Sequence, residues 1–325
     1  MSKKEGQERI CTQKLYPSLN NKIALNSIEE ASNATEYSKL SAAFYKEKLW
    51  EQDATIKVYF MQTEFYLPRT ETFNTKNGQL DPLQEYFSNN LDANILDGIK
   101  RIVKERIQPL LSDLKIVFVD DAETSDVRVS FNLNGGCWSL LGTDALQETD
   151  KKQATMNFSW FDVATVVHEF CHMLGMIHEH QNPSGKAIEW DDNALFKWSL
   201  EVNGWDVDTT IKNIVKKYDR ESITGSEFDP LSIMLYFFPA NLTKNNKGTY
   251  QNLRLSGKDV LYITKMYGKE EDAPKLYQDM YGESIEKNIK KSDQYYKSSF
   301  GWILVALVIA VVSYSAWKKW QSSRR

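Results

Sequence analysis

The sequence predicts an α/β (α+β) fold in which a two-lobed domain, with a mixed sheet and one helix carrying the functional site, precedes a single C-terminal transmembrane helix. Segments with strand spacing and with helical spacing of apolar residues alternate in the first half of the chain, which favours a mixed sheet covered by helices. All four histidines lie within residues 168–180, so one local site dominates the domain. An uncharged run of eighteen residues at 300–317 has the length of a bilayer-spanning helix.

Composition limits the possible classes of protein. A chain of 325 residues with 42% hydrophobic and 12% aromatic residues can bury a sizeable core. Its formal net charge of −4 gives no support to a nucleic-acid partner. The first residues are charged and lack an apolar stretch, so we expect no signal peptide. The three cysteines are sparse and odd in number, which argues against a disulfide framework and favours a reducing compartment.

Local patterns predict the elements of the first lobe. Residues 28–45 form a candidate helix that begins after an Asn-Ser cap. Residues 55–61 alternate and are β-branched, which indicates a strand. Apolar residues recur at helical spacing over 91–111, with a proline near the end. Residues 114–119 and 126–131 then have the pattern of two further strands.

The rest of the domain has fewer regular elements. Residues 154–158 have a strand pattern and lead into a helix predicted over 163–172. A polar turn with proline and glycine follows the last histidine. Two helices are predicted at 194–200 and 209–217, and a closing helix is predicted at 260–267.

The spacing H-E-x-x-H-x-x-G-x-x-H predicts a catalytic zinc site. On a helix, His168 and His172 share one face and can bind one Zn²⁺ ion, with Glu169 beside them as general base for a metal-activated water. Gly175 can adopt the left-handed conformation that ends a helix and reverses the chain. That turn would bring His178 to the metal as the third ligand. Three protein ligands leave a coordination position open, as catalysis requires.

At these residues the chain resembles the metzincin metalloproteases, and most closely their astacin-like branch. The segment His178-Glu179-His180 carries the glutamate that astacins place after the third histidine. The segment 232–236 is similar to the Met-turn, with Met234 followed two residues later by Tyr236. Weaker similarities lie at residues 136–142 and 255–259, and the resemblance as a whole covers residues 49–267.

The resemblance implies a zinc-dependent metalloendopeptidase with the two-lobed metzincin fold. It implies that Met234 forms a hydrophobic floor under the metal and that Tyr236 reaches the zinc or the developing oxyanion. It also implies that the strand at 154–158 runs antiparallel at the sheet edge above the cleft. An extended peptide or protein substrate can pair with such an edge through its backbone, so we predict this strand as the substrate rim.

Several neighbouring residues have more than one interpretation. The glutamate that matches Glu179 binds the processed N-terminus in mature astacins, and a plain structural hydrogen bond is the alternative. We interpret His180 as a neighbour of the site and not as a ligand, and Cys171 as a packing residue. Cys11 is the candidate for a latency thiolate, but its context does not resemble the matrixin switch. Nothing in residues 1–45 matches the aspartate switch of astacin propeptides.

The apolar run near the C-terminus predicts a membrane anchor. Trp302 and Trp317 flank it as an aromatic belt would, and basic residues lie on both sides. The absent signal peptide and the short tail favour a tail anchor with the catalytic domain in the cytosol; the opposite orientation, or a virion membrane, stays open. The layout is an N-terminal extension at 1–45, a metalloprotease domain at 46–268, a juxtamembrane spacer at 269–298, a transmembrane helix at 299–317 and a basic tail at 318–325.

Two other functions remain as alternatives. A catalytically inactive domain could bind zinc or peptide as a membrane receptor or scaffold, and loss of a ligand or of the base would point to it. Neither Glu169 nor a motif histidine is missing. A membrane-anchored structural protein with a decayed enzyme domain would bind no zinc.

Overall fold

The structure is a computed structural model that describes residues 12–14, 43–62, 79–90, 94–183, 188–225 and 227–294. The predicted transmembrane helix at 299–317 and nearly all of the predicted helix at 28–45 lie outside these ranges. Within them, no helix combines the length and the apolar character that a membrane crossing needs.

A mixed sheet forms the larger lobe. The strands of the described residues are β1 (Thr12–Lys14), β2 (Phe44–Tyr45), β3 (Thr55–Phe60), β4 (Lys115–Val119), β5 (Val127–Ser130), β6 (Trp138–Leu140), β7 (Met156–Asn157) and β8 (Ile223–Thr224). Among these residues, one sheet has the strand order β1-β6-β7-β5-β3-β4, and β2 pairs separately with β8. Neighbours in the larger sheet are parallel except β6 and β7, which run antiparallel.

The centre of this sheet confirms three predicted strands. β3 lies between β4 and β5 and is parallel to both. Its alternating residues Ile56, Val58 and Phe60 face the core, as the period of two in the sequence requires. Parallel strands need a long crossover, and two helices supply it between β3 and β4.

Residues 154–158, predicted as the substrate rim, do not form the antiparallel edge strand on which that prediction rests. The segment 154–158 contains β7, which lies inside the sheet and runs parallel to β5. β6 lies on the outer side of β7 and runs antiparallel to it, and β1 pairs parallel with the other edge of β6. Side-chain alternation reports which residues face the core but not the direction of a strand or its place in the order. The sequence pattern could therefore not distinguish β6 from β7.

The helices are α1 (Pro82–Asn89), α2 (Ile95–Ile102), α3 (Val163–Met173), α4 (Asp192–Asn203), α5 (Val207–Thr210), α6 (Gly257–Tyr267), α7 (Ala273–Tyr281) and α8 (residues 285–294). The helix predicted at 91–111 is confirmed as α2. A π-helical turn (Val103–Ile107) and a 3₁₀ turn (Gln108–Leu110) continue it to Leu110. α1 was not predicted, although Asp81 caps it by accepting the amide of Leu83 and Pro82 occupies its first turn.

Helix α3 is the most deeply buried helix of the site. Asp162 caps it by accepting the amide hydrogen of Thr165 over 2.7 Å. Apart from Ala164, every residue from Val163 to Met173 is buried. A helix that is covered on all sides can hold its side chains in fixed positions, because neighbours restrict their rotamers.

The smaller lobe follows α3 and confirms the predicted helices. α4 covers the segment predicted at 194–200, and α5 with the following turn Ile211–Val215 covers the segment predicted at 209–217. Gly204, with φ of +70°, ends α4 in the left-handed conformation. A second apolar cluster of this lobe contains Trp190, Leu195, Ile214, Tyr236, Phe238 and Leu242.

β2 lies at the start of the described stretch 43–62. The end of the segment predicted as a helix at 28–45 contains β2, so the helix prediction is wrong for Phe44 and Tyr45. β2 pairs with Ile223–Thr224, and Phe44 also forms an isolated bridge with Met176. These partners are distant in sequence, and tertiary pairing overrides weak local helix signals.

The segment 269–298, predicted as a spacer that is helical in part, is helical from Ala273 to Tyr281 and again over residues 285–294. α6 begins with a reciprocal capping box between Ser256 and Asp259, which confirms the closing helix predicted at 260–267. α7 buries Ala273, Tyr277 and Met280, so this region packs on the domain.

Candidate active site

Helix α3 and the turn after it gather the histidines of the predicted motif. His168 and His172 are 6% and 0% exposed, and their ring centroids lie 4.7 Å apart. Gly175 has φ of +98°, as the predicted turn requires. Its amide donates to the carbonyl of His172 over 2.8 Å, which closes the turn. The chain then returns to the helix, and His178 is 3% exposed.

The ring nitrogens of these three histidines converge. Nε2 of His172 lies 3.0 Å from Nε2 of His178, and one nitrogen from each of His168, His172 and His178 lies within 4.8 Å of the others. Three nitrogens bound to one tetrahedral zinc ion, at Zn–N distances of about 2.0 to 2.1 Å, are about 3.3 Å apart. The separations and the imidazole donors therefore fit one zinc ion.

Backbone carbonyls orient two of these rings. Nδ1 of His168 lies 2.9 Å from the carbonyl oxygen of Ile233, and Nδ1 of His172 lies 2.7 Å from that of Met176. A carbonyl can only accept, so each Nδ1 carries the proton and each Nε2 presents a lone pair. Nε2 of His168 makes no hydrogen bond within the described part of the chain. Such fixed tautomers are typical of metal-binding histidines.

The environment keeps the imidazoles neutral. Burial lowers the pKa of His168 to about 4. Burial, with the neighbouring rings, lowers the pKa of His172 and of His178 well below the ordinary value. A metal ligand must be deprotonated, so these pKa shifts favour metal binding at neutral pH.

Glu169 lies on the same helix, directly after His168. Its side chain is fully buried. The position in α3 agrees with the H-E-x-x-H arrangement, in which the glutamate is the general base. Its catalytic role stays a prediction.

The Met-turn lies against the histidines. Met234 is completely buried, and its carbonyl oxygen accepts the amide hydrogen of Glu179 over 2.9 Å. The ring centroid of Tyr236 lies 4.2 Å from that of His178 and 6.1 Å from that of His168. The structure thus brings Met234 and Tyr236, which follow His168 by 66 and 68 residues, to the predicted site.

The fourth histidine lies beside the cluster and is not among the three that converge. The ring of His180 stacks on His178 at 5.2 Å and on Tyr236 at 4.8 Å. Its Nε2 lies 3.1 Å from the carbonyl oxygen of Asn213. Burial lowers the pKa of His180 to about 3. The ring therefore packs beside the site as a neutral group.

Glu179 makes structural hydrogen bonds. Its Oε1 accepts from the amide of Asp229 over 2.8 Å and from Nδ2 of Asn182 over 3.1 Å. Burial raises the pKa of this carboxyl well above its ordinary value, and the neighbouring Asp229 adds to the shift. These contacts tie the turn after His178 to the segment that leads into the Met-turn.

Two cysteines lie in the described part of the chain. Cys171 and Cys137 are both buried and free. Cys171 packs in the main core, as predicted, and burial raises its pKa well above the ordinary value. Cys11 lies outside the described residues.

The backbone partners of the histidines were not predicted from the sequence. The carbonyls of Ile233 and Met176 orient His168 and His172, and any residue type has a carbonyl. Asp259 holds the Met-turn from below by accepting from the Ile233 amide over 2.9 Å and from the Ser232 hydroxyl over 2.7 Å. The similarity of residues 255–259 to the family is the sequence signal that could have indicated this support from Asp259.

Comparisons with known proteins identify relatives of this chain. Over 210 residues, the chain is 23% identical to meprin A subunit alpha of Mus musculus. The match covers 62% of this chain and only 26% of the meprin subunit.

The solved structure of myroilysin has a similar fold. It matches with a TM-score of 0.56 and 27% sequence identity, over 70% of this chain and 98% of that one. A hatching-enzyme zinc-protease from the medaka fish Oryzias latipes, high choriolytic enzyme 1, matches 70% of this chain and 98% of its own, with 14% identity and a TM-score of 0.38.

A family model decides the assignment. The model described as astacin, a peptidase family, matches residues 86–268, which is more than half of the chain and includes the three converging histidines, Glu169 and the Met-turn. The chain belongs to the astacin family of peptidases.

Proposed function

We propose that the protein is a zinc-dependent metalloendopeptidase that hydrolyses internal bonds of peptide or protein substrates. One observation carries the proposal: ring nitrogens of His168, His172 and His178 converge within 4.8 Å. Two of these rings have tautomers fixed by backbone carbonyls, and Glu169 is the next residue of the same helix. Family membership supports the same reaction class.

His168, His172 and His178 would hold the metal. A zinc ion bound there supplies Lewis acidity, which lowers the pKa of water and polarises a carbonyl group. Glu169 takes a proton from the attacking water and returns it to the leaving amine. The Tyr236 hydroxyl donates a hydrogen bond to the oxyanion that develops on the scissile carbonyl. Met234, which is completely buried, would form the hydrophobic floor under the metal that the family implies.

The outer side of β6 is the proposed place for the substrate backbone. β6 runs antiparallel to β7, and an extended peptide would pair with the amide and carbonyl groups of its outer edge. In this structure, Thr12–Lys14 of the chain itself pair with that edge, in register with Trp138–Leu140. A substrate that uses the same edge would have to displace this segment.

We further propose that residues 300–317 anchor the protein in a membrane. This run lies outside the described residues, so the proposal rests on its eighteen uncharged residues and on the flanking Trp302 and Trp317. A protease-protection assay on membrane fractions tests it. We expect the full chain to stay with the membrane after alkaline extraction, and the side on which the domain is digested gives the orientation.

The Glu169→Gln variant tests the catalytic proposal. The amide cannot accept a proton, so we expect peptide hydrolysis to fall about 10³-fold or more, within the range of general-base contributions. Because the three converging histidines, and not Glu169, are the proposed metal ligands, zinc content should stay near one ion per chain. Elemental analysis and a casein or peptide cleavage assay, with and without chelator, measure the two quantities.

A matched control uses an exposed glutamate of the same lobe. Glu123→Gln, in the exposed loop after β4, should retain wild-type activity. If wild-type protein loaded with zinc cleaves no peptide, the proposal fails in favour of an inactive binding module. If Glu169→Gln with full zinc retains activity, the role given to Glu169 is wrong.

A further inference from the structure

The family match ends at residue 268, yet the chain continues as a packed part of the domain. On α8, the residues Ile285, Asn288 and Ser292 are buried, and their spacing of three and four residues places them on one face. A Cβ atom added at Gly257 would come within 3.0 Å of Ile285 and 3.2 Å of Ile289. α8 therefore lies directly against the first turn of α6.

Two hydrogen bonds join α8 to the domain, one to α6 and one to the segment before the Met-turn. The amide of Gly257 donates to Oδ1 of Asn288 over 2.8 Å. The hydroxyl of Ser292 donates to Oδ1 of Asp229 over 2.6 Å. Asp229 is completely buried, and a buried carboxylate without donors is strongly destabilising. Ser292 thus supplies part of the polar environment that Asp229 requires.

Asp229 belongs to a network beneath the Met-turn. The hydroxyl of Ser256 donates to Oδ2 of Asp229 over 2.6 Å, and the same hydroxyl accepts from the amide of Asp259 over 2.9 Å. Oδ2 of Asp259 accepts the amide of Ile233 over 2.9 Å. Burial and the neighbouring Asp229 raise the pKa of Asp259 to about 7, so this pair of carboxyl groups depends on its donors.

The network ends at the three converging histidines. The carbonyl of Ile233, whose amide is held by Asp259, accepts the Nδ1 proton of His168 over 2.9 Å. Hydrogen bonds between successive residues therefore join Ser292 to His168, and the intermediate residues are Asp229, Ser256, Asp259 and Ile233.

We propose that Ser292 is a positioning residue for the metal ligand His168, so that α8, outside the family-matched region, is part of the catalytic unit. This inference rests on the proposed function, because it assumes that His168 binds the metal. Ser292 donates to the Asp229 carboxylate, and Asp229 and Ser256 hold the start of α6. Asp259 holds the amide of Ile233, the residue whose carbonyl orients the His168 ring. The consequence is a defined ring orientation and a higher metal affinity.

The Ser292→Ala variant of the full chain tests the proposal. We expect its zinc Kd, measured by chelator competition, to rise about 3- to 10-fold, which is at or below the low end for removal of a direct partner of a metal ligand. With saturating zinc, kcat should fall by a similar factor while KM stays unchanged, because the substrate groups are not altered. The d–d absorption bands of the cobalt-substituted protein should shift, since they report the ligand geometry.

Two further variants separate positioning from packing. Ser292→Thr keeps the hydroxyl and should restore zinc affinity, kcat and the cobalt spectrum. Ser112→Ala removes an exposed serine hydroxyl that donates to Asp113 over 2.7 Å, and it should change none of these quantities. If Ser292→Ala does not fold, Ser292→Cys, with a weaker donor of similar size, replaces it and should give an intermediate zinc Kd.

The outcomes distinguish this inference from the proposed function. If the wild-type chain binds zinc but cleaves no peptide, the peptidase proposal fails, and zinc Kd with the cobalt spectrum still tests Ser292. A folded Ser292→Ala variant with a lower melting temperature but wild-type zinc Kd and cobalt spectrum would overturn the inference, since Ser292 would then contribute to stability alone.

Discussion

The two segments that build the candidate site are positioned in different ways. His168 and His172 lie on one helix, and one glycine turn brings His178 back to them, so local geometry places the three residues together. The distant carbonyl of Ile233 then orients the His168 ring. The Met-turn begins more than fifty residues later and depends on side chains from α6 and α8. The spacing of the motif predicts the first segment and the resemblance to the family predicts the second, whereas the side chains that support the Met-turn are identified only in the folded chain. The difference predicts that substitutions in the motif remove function, while substitutions under the Met-turn weaken it.

After Glu169→Gln in the motif, the largest loss of activity is expected for Tyr236→Phe, on the Met-turn side. Removal of one donor to an oxyanion costs about 10²-fold in kcat, and we expect that magnitude with a much smaller change in KM. The ring remains, so its packing on His178 at 4.2 Å and the zinc content should be unchanged.

Steady-state kinetics with zinc-loaded protein measure this effect. Phe238→Tyr serves as the control, because Phe238 lies in the same aromatic cluster and does not follow the Met-turn pattern. Equal kcat in wild type and Tyr236→Phe would exclude the hydroxyl from the reaction. The Met-turn would then act through packing alone, and the comparison between the two segments would become sharper.

The features that the sequence predicts are those set by local geometry, and the features that it misses depend on distant contacts. The motif histidines, the helix α3, the turn at Gly175 and the strands β3, β4 and β5 were predicted, because each has a local period or a local conformational requirement. The order of β6 and β7, the entry strand β2 and the support from Ser292 were not predicted. Each of these depends on a pairing between residues that are far apart in sequence, and side-chain periodicity does not report such pairings.

Acid should affect the motif side through its histidines. The pKa of His168 in the folded, metal-free protein is lowered to about 4, below the value of about 6.5 in an unfolded chain. The unfolded chain therefore binds more protons between these two values. Stability is unaffected above about pH 6.5 and is lost as the pH falls towards about 4. For His168 alone, the loss at pH 5 is about 2 kcal/mol.

Urea unfolding of chelator-treated protein between pH 7.5 and pH 5 measures this loss. Zinc should oppose it until protons compete for the nitrogens, so the loaded protein should lose both metal and stability over a lower pH range. His180→Phe removes one buried imidazole beside the cluster and should make the metal-free protein less sensitive to acid. A stability that does not change from pH 7.5 to pH 5 would contradict neutral, buried histidines.

Asp259→Asn tests whether the network under the Met-turn matters for the metal site. The carboxylate accepts from the Ile233 amide, the Ser232 hydroxyl and the Ser256 amide, and an asparagine amide oxygen can replace only part of these bonds. The backbone of Ile233 should lose its fixed position, and the ring of His168 should then lose its fixed orientation. We expect zinc Kd to rise about tenfold, as for other groups that support a metal ligand, and stability to fall by about 1 to 3 kcal/mol. Chelator competition and thermal unfolding measure the two quantities, with Asp97→Asn on the exposed face of α2 as control. If zinc Kd stays at the wild-type value while stability falls, the Met-turn network contributes to folding only, and the motif of α3 with its turn is sufficient to define the metal site.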